Sequence, residues 1–296
     1  MDFRELEYFT AIARCGNITH ASRQLYVSQP TLSKFLQKLE GELGLELFQR
    51  NGHRLELTYA GQRYLAHAEH LLSQKRELDA EMTDILRSDV GVLHVGMPTF
   101  RCSFSLPPVL PIFREEFPQV QFRIVEASSA VLDQKLLNGE IDLAFYMSFE
   151  RLNGLSYRVL KKDRMYVLLA KGHPLERQAE AEGSFAPEWL NGQTLLLQNR
   201  AQRQGRYLLQ LLQEKQVRPA EILESSNIRA TAALAANGYG IAFLSGVLLE
   251  HLEQRTAFRA YPLRDCGLQI ESVAAWRTGN YLPRYAQRFI ELMENV

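Results

Sequence analysis

The alternation of strand-like and helix-like segments over residues 91–296 is the feature that most limits the folds open to this chain. The first set contains the strands VLHVGM, VQFRIVEA and IDLAFYM, and the second contains TLLLQ, EILES and GIAFL. Helical patterns lie between them, and this order predicts mostly parallel, doubly wound sheets. Two consecutive sets predict two lobes. We expect the last segment, from QIESVAAW to YLPRYAQRFIELME, to return to the first lobe.

The composition is that of a globular protein with more than one domain. The 296 residues are 46% hydrophobic and 23% charged, and the formal net charge is zero, so overall charge favours no particular partner. The three cysteines have neither the spacing of a disulfide framework nor that of a metal site, and we expect no metal and no cofactor. The start, MDFRELEYF, lacks a secretory signal, and no apolar run approaches the ~20 residues that span a bilayer. We therefore expect a cytoplasmic protein that does not bind membranes.

The first sixty residues have the pattern of a helix-turn-helix. A helix is predicted over residues 3–14 and ends at Gly16, and Thr19 is the expected cap of a second, short helix. Ser28 is the expected cap of a third helix, whose first turn tolerates Pro30. The second helix of such a motif enters the major groove of DNA, where its N-terminal residues reach the bases.

The stretch SQPTLSKFLQKLEGELG, residues 28–44, has leucines at helical spacing on one side and polar groups on the other. Gln29 suits adenine, Ser33 suits several bases, and Lys34 suits guanine or a phosphate. Thr31 and the free N–H groups of the first turn suit phosphate oxygens. The sequence therefore predicts a recognition helix that reads DNA from its leading end.

The sequence LELFQRNGHRLELT, which follows Gly44, predicts a β-hairpin wing around an Asn-Gly turn. Arg50 and Arg54 flank the tip of this hairpin and suit phosphate or minor-groove contact. Between residues 8 and 39 there is no Asp or Glu, so the recognition helix begins in a basic region. The predicted DNA contacts are Ser28, Gln29, Pro30, Thr31, Ser33, Lys34, Lys38, Arg50 and Arg54.

Two stretches, LEYFTAIARCGNITHASRQLYVSQPTLSKFLQKLEGELGLELFQR and RLELTYAGQRYL, resemble the LysR-type transcriptional regulators. The resemblance covers essentially the whole chain. It implies two lobes like those of a periplasmic solute-binding protein, with an effector in the cleft between them. It also implies paired linker helices and dimers that associate into tetramers. Phe35 and Gln37 stand where the family often has Gln and Arg, and Gln49 replaces a common acid.

Residues 58 to about 88 contain no proline, which predicts one helix of ~45 Å at about 1.5 Å per residue. A heptad seam follows Tyr64, Ala68, Leu71, Lys75, Leu78, Met82 and Ile85. A packed internal helix is the alternative, but dimerisation fits better because no large domain lies on its N-terminal side. A dimer would place two recognition helices about one DNA turn apart, ~34 Å.

Ligands of open α/β sheets bind beyond the carboxyl ends of the strands, and those ends are polar in this chain. Hydroxyls, N–H groups at helix starts and Arg101 together favour a small carboxylate or other anion, because Arg offers a bidentate fork. The LysR-type regulators usually have a Ser/Thr pair in the first loop, from which Arg101 and Cys102 depart. The predicted ligand contacts are Thr99, Phe100, Arg101, Cys102, Ser103, Ser128, Ser129, Tyr146, Ser148, Gln198, Asn199 and Ser245.

Other classes of protein are compatible with parts of the chain. Cys102 beside Arg101 at a helix start would be stabilised as a thiolate, so a redox-sensing regulator, with Cys266 as a partner thiol, is the main alternative. A solute-binding protein would share the two lobes. It would, however, carry a signal peptide and lack the N-terminal helix-turn-helix pattern. An enzyme is not expected, because no GxSxG, P-loop, GxGxxG or metal-ligand spacing occurs.

With the resemblance, the sequence predicts an α/β protein with an N-terminal winged helix-turn-helix and a two-lobed, periplasmic-binding-protein-like effector domain. The expected domains are residues 1–60 for DNA binding, 61–89 for the linker helix and 90–296 for the effector. Lobe I is expected over about 90–162 and 267–296, and lobe II over about 163–266. The expected partners are partly palindromic double-stranded DNA, a small-molecule effector and other copies of the chain, as a homodimer or homotetramer. RNA polymerase is a further candidate.

Overall fold

A computed structural model describes residues 2–51, 54–86, 89–200, 202–252, 257–264 and 270–296. They separate into two units, one built mainly from residues 1–88 and the other mainly from residues 89–296. In the described part of the chain, no helix is long and apolar enough to cross a membrane.

The first unit begins with three helices, α1 (Phe3–Cys15), α2 (Ile18–Gln24) and α3 (Gln29–Leu43). Gly16 ends α1 in the left-handed conformation that glycine adopts without strain. The expected cap at Thr19 was wrong. Asn17 caps α2, since its side-chain oxygen accepts hydrogen bonds from Thr19 N at 2.9 Å and His20 N at 3.1 Å. Ser28 caps α3 as predicted.

A hairpin follows the third helix, with strands β1 (Phe48–Asn51) and β2 (Arg54–Leu57) in antiparallel register. The Glu40 carboxylate of α3 accepts hydrogen bonds from Leu47 N at 2.7 Å and Phe48 N at 3.1 Å, which attaches the hairpin to the end of that helix. This confirms the predicted wing. Gly52 of the predicted turn lies outside the described residues.

The fourth helix, α4, spans Tyr59–Ile85 and is capped by Thr58, whose hydroxyl accepts a hydrogen bond from Gly61 N at 3.0 Å. Gly61 is required here, because a Cβ at this position would lie 1.9 Å from the backbone oxygen of Leu47. The start of the predicted seam packs within the chain, since the rings of Phe9 and Tyr64 are 4.5 Å apart. Residue 88 and the Ile85 side chain lie outside what is described.

The second unit contains the remaining elements of the described chain. Its strands are β3 (Gly91–Met97), β4 (Val120–Glu126), β5 (Leu143–Ser148), β6 (Leu155–Asp163), β7 (Met165–Ala170), β8 (Thr194–Leu197), β9 (Glu221–Glu224), β10 (Ile241–Ser245), β11 (Phe258–Pro262) and β12 (Ile270–Arg277). Its helices are α5 (Thr99–Glu116), α6 (Ser129–Leu137), α7 (Glu176–Glu182), α8 (Arg203–Glu214), α9 (Ile228–Ala236), α10 (Gly246–Glu250) and α11 (Arg284–Met293), with a 3₁₀ turn at Pro187–Leu190.

Lobe I is built on a sheet of strand order β4-β3-β5-β12-β6. The pairings of β3 with β4 and β5 are parallel, whereas β12 is antiparallel to both β5 and β6. Four of the five strands therefore run in one direction, and β12 is reversed. Strand β12, from the C-terminal segment, lies within this sheet. Phe289 of α11 seals this lobe, with its ring 5.2 Å from that of Phe113 and 5.6 Å from that of Phe145.

Lobe II repeats this plan with the order β11-β7-β10-β8-β9. Strands β8, β9 and β10 pair in parallel, and β7 is antiparallel to β10 and β11, so β7 is the reversed strand here. Its core includes Leu195, Leu208 and Phe243, which are all buried. In both lobes the parallel strands direct their carboxyl ends toward helix starts, which is the arrangement that positions a ligand.

Helix α5 contains three prolines, Pro107, Pro108 and Pro111. Each proline removes a backbone donor and would ordinarily break a helix. These prolines lie on the exposed side, where water can solvate the freed carbonyl groups, while Val109 and Phe113 pack inward. The helix therefore tolerates them and extends back to Thr99.

Candidate functional site

The leading end of α3 presents polar side chains to solvent. Gln29, Thr31 and Lys34 are exposed, and Ser33 is half-buried beside them. The Ser28 hydroxyl caps α3 by accepting a hydrogen bond from the Thr31 backbone N–H at 3.3 Å, and it lies 2.8 Å from the Thr31 hydroxyl. Pro30, in the first turn, is exposed as well. The buried side of the same helix, formed by Leu32, Leu36 and Leu39, anchors it. This is the geometry of a helix that can enter a groove with its N-terminal turns.

The two lysines of this helix differ in their surroundings. The Lys38 ammonium lies 3.8 Å from a Glu5 oxygen and 3.6 Å from a Glu42 oxygen, so acids of the same unit compensate its charge. Among the residues that the structure describes, Lys34 has no ion-pair partner. The charge of Lys34 is therefore available to DNA, whereas the predicted contact at Lys38 must compete with two carboxylates.

Arg50 and Arg54 lie on the two strands of the hairpin and are both exposed. The register pairs Asn51 with Arg54, so the second arginine sits at the first residue of β2, next to the turn. Exposed arginines at the tip of a wing suit phosphates beside the groove that a recognition helix occupies.

A cavity of about 560 Å³ lies between the two lobes of the second unit. Of the predicted ligand residues, it is lined by Thr99, Phe100, Arg101, Ser103, Ser128, Ser129, Tyr146 and Gln198. Residues that were not predicted complete the wall, among them Gln202, Arg203, Gln204, Ser226, Asn227 and Arg229. The volume is within the range of small-molecule sites.

Four helix N-termini meet at this cavity. Residues of the first turns or caps of α5 and α6 come from lobe I, and those of α8 and α9 come from lobe II. No side chain of the described residues caps α5 or α8, so the first N–H groups of these two helices are not satisfied by a cap. Helix N-termini carry partial positive charge. Both lobes therefore contribute partial positive charge to the cavity wall.

Arg101 adds a full positive charge to the lobe I wall. Its side chain is 2% exposed, and Nη1 donates a hydrogen bond to the Ser272 hydroxyl at 2.9 Å. Its Nε atom is buried and has no hydrogen-bond partner among the described residues. Burial lowers the pKa of Arg101 to about 10, which leaves the guanidinium charged at neutral pH.

Arg203 adds a second buried guanidinium, from the first turn of α8 in lobe II. Burial lowers its pKa to about 10, so it is also charged at neutral pH. Its Nη2 atom donates to the Asp133 carboxylate, while Nη1 is buried with no hydrogen-bond partner in the described part of the chain. Buried donors without partners are costly, and a ligand oxygen would satisfy them.

Four predicted ligand residues do not line the cavity and need correction. Ser148 turns its hydroxyl to the Glu150 backbone oxygen at 2.6 Å, and Ser245 is buried at the start of α10. The Asn199 backbone oxygen accepts a hydrogen bond from Gln202 N at 2.9 Å, which places Asn199 in the turn before α8. Cys102 lies on the buried side of α5, with Sγ 3.9 Å from the Met97 oxygen.

The environment of Cys102 opposes thiolate chemistry. Burial raises the pKa of the Cys102 thiol to about 11, and the nearby Glu126 charge acts in the same direction. A thiol of this pKa stays protonated at neutral pH and is a poor nucleophile. Cys266, its proposed partner, lies outside the described residues.

The missed residues of lobe II share a sequence signal. Ser226-Asn227 follows the strand EILES and opens a helix, as Ser128-Ser129 does in lobe I. Asn227 caps α9 by accepting a hydrogen bond from Ala230 N at 3.2 Å. Arg203 follows the loop after β8 in the same way. A rule that selects the polar residues at every strand-to-helix junction would have included Ser226, Asn227 and Arg203.

A helix-turn-helix with a basic leading end, in one chain with a two-lobed ligand cavity, defines a transcriptional regulator with an effector-binding domain. Residues 3–62 match the bacterial regulatory helix-turn-helix protein of the lysR family, and residues 87–296 match the LysR substrate binding domain. The chain belongs to the LysR family. The family consists of transcriptional regulators rather than enzymes, and the redox and solute-binding alternatives are not favoured.

Individual relatives are similar to this chain over nearly its whole length. The uncharacterized HTH-type transcriptional regulator YwbI of Bacillus subtilis (strain 168) is 30% identical over 98% of this chain and 95% of that protein. A full-length OxyR variant from Pseudomonas aeruginosa is 26% identical, with a TM-score of 0.75 over 100% of this chain and 94% of that one. Full-length CbnR complexed with its target DNA has a TM-score of 0.63 and 24% identity, over 100% and 99% of the two chains.

Proposed function

We propose that a small anionic effector, with a carboxylate as its simplest form, controls this regulator from the cavity between the lobes. The observation that carries the proposal is the convergence of four helix N-termini with the buried guanidinium of Arg101, which has no ion-pair partner among the described residues. Asp133 compensates the charge of Arg203, which adds its unpartnered Nη1 donor to the wall. Among the described residues that line the cavity there is no Asp or Glu. An anion is the ligand whose charge such a wall stabilises.

The rest of the wall limits the shape of the effector. Phe100, Phe149, Ile228 and Leu248 contribute apolar surface to the cavity. A mainly apolar wall with a few fixed polar groups is typical of sites for small organic molecules. The effector is therefore an organic anion with an apolar part, rather than a bare inorganic ion.

The cavity offers a direct way to couple binding to conformation. An effector can shift a protein between two states only if its affinity for them differs. Thr99 and Ser129 come from lobe I, and Asn227 comes from lobe II, so closure of the lobes adds contacts to a bound ligand. Binding would therefore favour the closed arrangement.

The proposed division of labour follows the predicted domains. Residues 1–60 bind DNA, 61–89 form the linker helix and 90–296 hold the effector. Similarity to CbnR, which is known in complex with its target DNA, supports a double-stranded operator, which we propose to be partly palindromic. The proposed DNA contacts are the predicted set from Ser28 to Arg54. We also propose a homodimer or homotetramer, with RNA polymerase as a partner at promoters.

Thermal unfolding of the full-length protein tests the effector proposal. Each small monocarboxylate or dicarboxylate is compared with its neutral amide. At about 100 times its Kd a specific ligand adds about 2.7 kcal/mol of stability, which is readily measured. Arg101→Gln should remove the shift that the carboxylate causes in wild type, while operator binding stays within a few-fold.

The matched control is Arg123→Gln, which removes an exposed arginine on β4 of the same lobe. This variant should respond to the carboxylate as wild type does. The proposal fails if every amide stabilises the protein as well as its carboxylate, or if Arg101→Gln responds normally.

A further inference from the structure

The Asp133 carboxylate is buried at the junction of the two lobes. It lies on α6 in lobe I and is 1% exposed. One of its oxygens accepts a hydrogen bond from the Tyr146 hydroxyl, and the other accepts one from Arg203 Nη2. Burial raises the pKa of Tyr146, so the phenol keeps its proton and can donate it. Both oxygens of the carboxylate are therefore engaged.

The cluster crosses from one lobe to the other. Asp133 and Tyr146 belong to lobe I, whereas Arg203 belongs to the first turn of α8 in lobe II. The guanidinium also lies over the Tyr146 ring, with Cζ 5.2 Å from the ring centroid. On its outer side, Arg203 Nε is 3.5 Å from a Glu150 oxygen. Three lobe I side chains thus surround one lobe II cation.

Separation of this pair would be costly for a specific reason. Arg203 cannot lose its proton at neutral pH, so an unpaired Arg203 would remain a buried charge. The pair of Lys161 and Glu250 also links the lobes, from β6 to α10, at 2.9 Å. Both of those side chains are about half exposed, and solvent-exposed pairs contribute little. The buried pair is therefore the stronger connection of the two.

We propose that Asp133 is a positioning residue that fastens Arg203 to lobe I and so holds the cavity in shape before any effector binds. Arg203 lines the cavity, and its Nη1 atom is buried with no hydrogen-bond partner among the described residues. While Asp133 holds Nη2, the rest of the guanidinium stays beside the cavity. The latch, as we call the Asp133–Tyr146–Arg203 cluster, acts without a ligand.

Hydrogen–deuterium exchange of the full-length protein without effector tests the latch. Asp133→Asn removes the internal anion. Arg203→Gln breaks the same pair from the other side and is the milder change for folding, because a buried carboxylate can neutralise itself by protonation. The matched control is Glu250→Gln, which removes the exposed link between the same lobes.

Both latch variants should speed amide exchange by roughly tenfold or more at residues 129–136 and 203–209, which are on opposite lobes. The interior strands β3 and β8 should keep their wild-type protection, and Glu250→Gln should match wild type throughout. Unchanged exchange in folded Arg203→Gln would overturn the latch. Faster exchange confined to the interior strands of one lobe would overturn it too, since it would show a role within that lobe.

Asp133→Asn should also make the Arg203 side chain reactive toward phenylglyoxal, with modification located by peptide mass spectrometry. The same reagent applied to Glu250→Gln should leave Arg203 as unreactive as in wild type. These readouts need no effector, so they succeed or fail independently of the anionic effector proposal.

Discussion

Gly205 lies directly against the backbone of Gln198, and a Cβ on Gly205 would be 2.1 Å from the Gln198 oxygen. The same Cβ would be 2.5 Å from the Asn199 oxygen. The first turn of α8 therefore packs backbone against backbone on the loop that follows β8. This contact sets the position of Arg203, two residues earlier, in the cavity wall.

Gly205→Ala should destabilise lobe II by roughly 1–3 kcal/mol, because two carbonyl groups must move to admit the methyl group. Urea unfolding in a Trp276→Phe background measures this, since Trp189 of lobe II then reports alone. Gly41→Ala is the control, because nothing lies within 4 Å of its added methyl group. Because Gly41 lies on α3 in the first unit, this control should leave the lobe II transition that Trp189 reports unchanged. Equal stability of wild type and Gly205→Ala would contradict the close contact.

Lys34→Ala should weaken operator binding by about 1–3 kcal/mol if the ammonium contacts a base edge. Lys38→Ala, one turn later on the same helix, should cost less, because Glu5 and Glu42 already compensate Lys38. Gel-shift titration of both variants at one salt concentration gives the comparison. If Lys34→Ala binds as tightly as wild type, α3 does not read DNA through this residue.

Arg54→Ala should weaken binding to operator DNA and to non-specific DNA equally, because an exposed arginine on the wing contacts phosphates rather than bases. The slope of log K against log salt should become shallower by about 1, as one phosphate contact is lost. Fluorescence anisotropy with operator and random duplexes over a salt series measures both effects. A loss restricted to the operator would instead assign Arg54 to base recognition.

The exposed part of α4 is the predicted surface for association. Leu78 is 57% exposed, and Leu71 and Met82 are exposed beside it. The double variant Leu71→Asp with Leu78→Asp should form smaller species, as measured by light scattering. Burying an unpaired polar group costs about 2–7 kcal/mol, and an unpaired carboxylate costs more. Gln74→Asp, off the seam on the same helix, should leave the oligomer intact. If wild type is monomeric in light scattering, the α4 seam is not a dimer interface.

Cys102 should react slowly with iodoacetamide at pH 7.5, and slower than the half-exposed Cys15. Its folded pKa of about 11 is above the ~8.5 of an unfolded thiol, so the stability linked to it is complete below that pH and falls as the pH rises toward 11. Peptide mass spectrometry measures the modification rate at each cysteine separately. The stability of Cys102→Ser, compared with wild type across pH, shows the part of the pH dependence that Cys102 causes. Equal rates at both cysteines would reopen the redox interpretation.

The helix-turn-helix was predictable because local rules decide it. Apolar spacing places Leu32, Leu36 and Leu39 inward, and Ser28 is a strong cap immediately before them. The one local error, Thr19 for Asn17, arose because two good capping residues stand two positions apart. Only the backbone shows which side chain reaches the free N–H groups. The long helix was also clear, but its packing against α1 was not.

The cavity was harder to predict because its residues depend on where two lobes meet. The strand-end rule selected Thr99, Ser129 and Gln198, which line the cavity, but it also selected Ser148 and Ser245, which do not. The buried Asp133 gave no signal at all, since an acid within an apolar helical pattern usually lies on the exposed face.

The reversed strand β12 makes lobe I discontinuous in sequence. Its sheet is complete only when β12 lies between β5 and β6, and α11 must then cover it. On the ribosome, the whole of lobe II is made before Arg277 emerges. Until then β5 carries an open edge, which invites wrong pairing. Lobe II, whose strands follow one another from β7 to β11, meets no such delay. Synthesis thus imposes an order in which the inserted lobe matures first and the lobe that encloses it matures last.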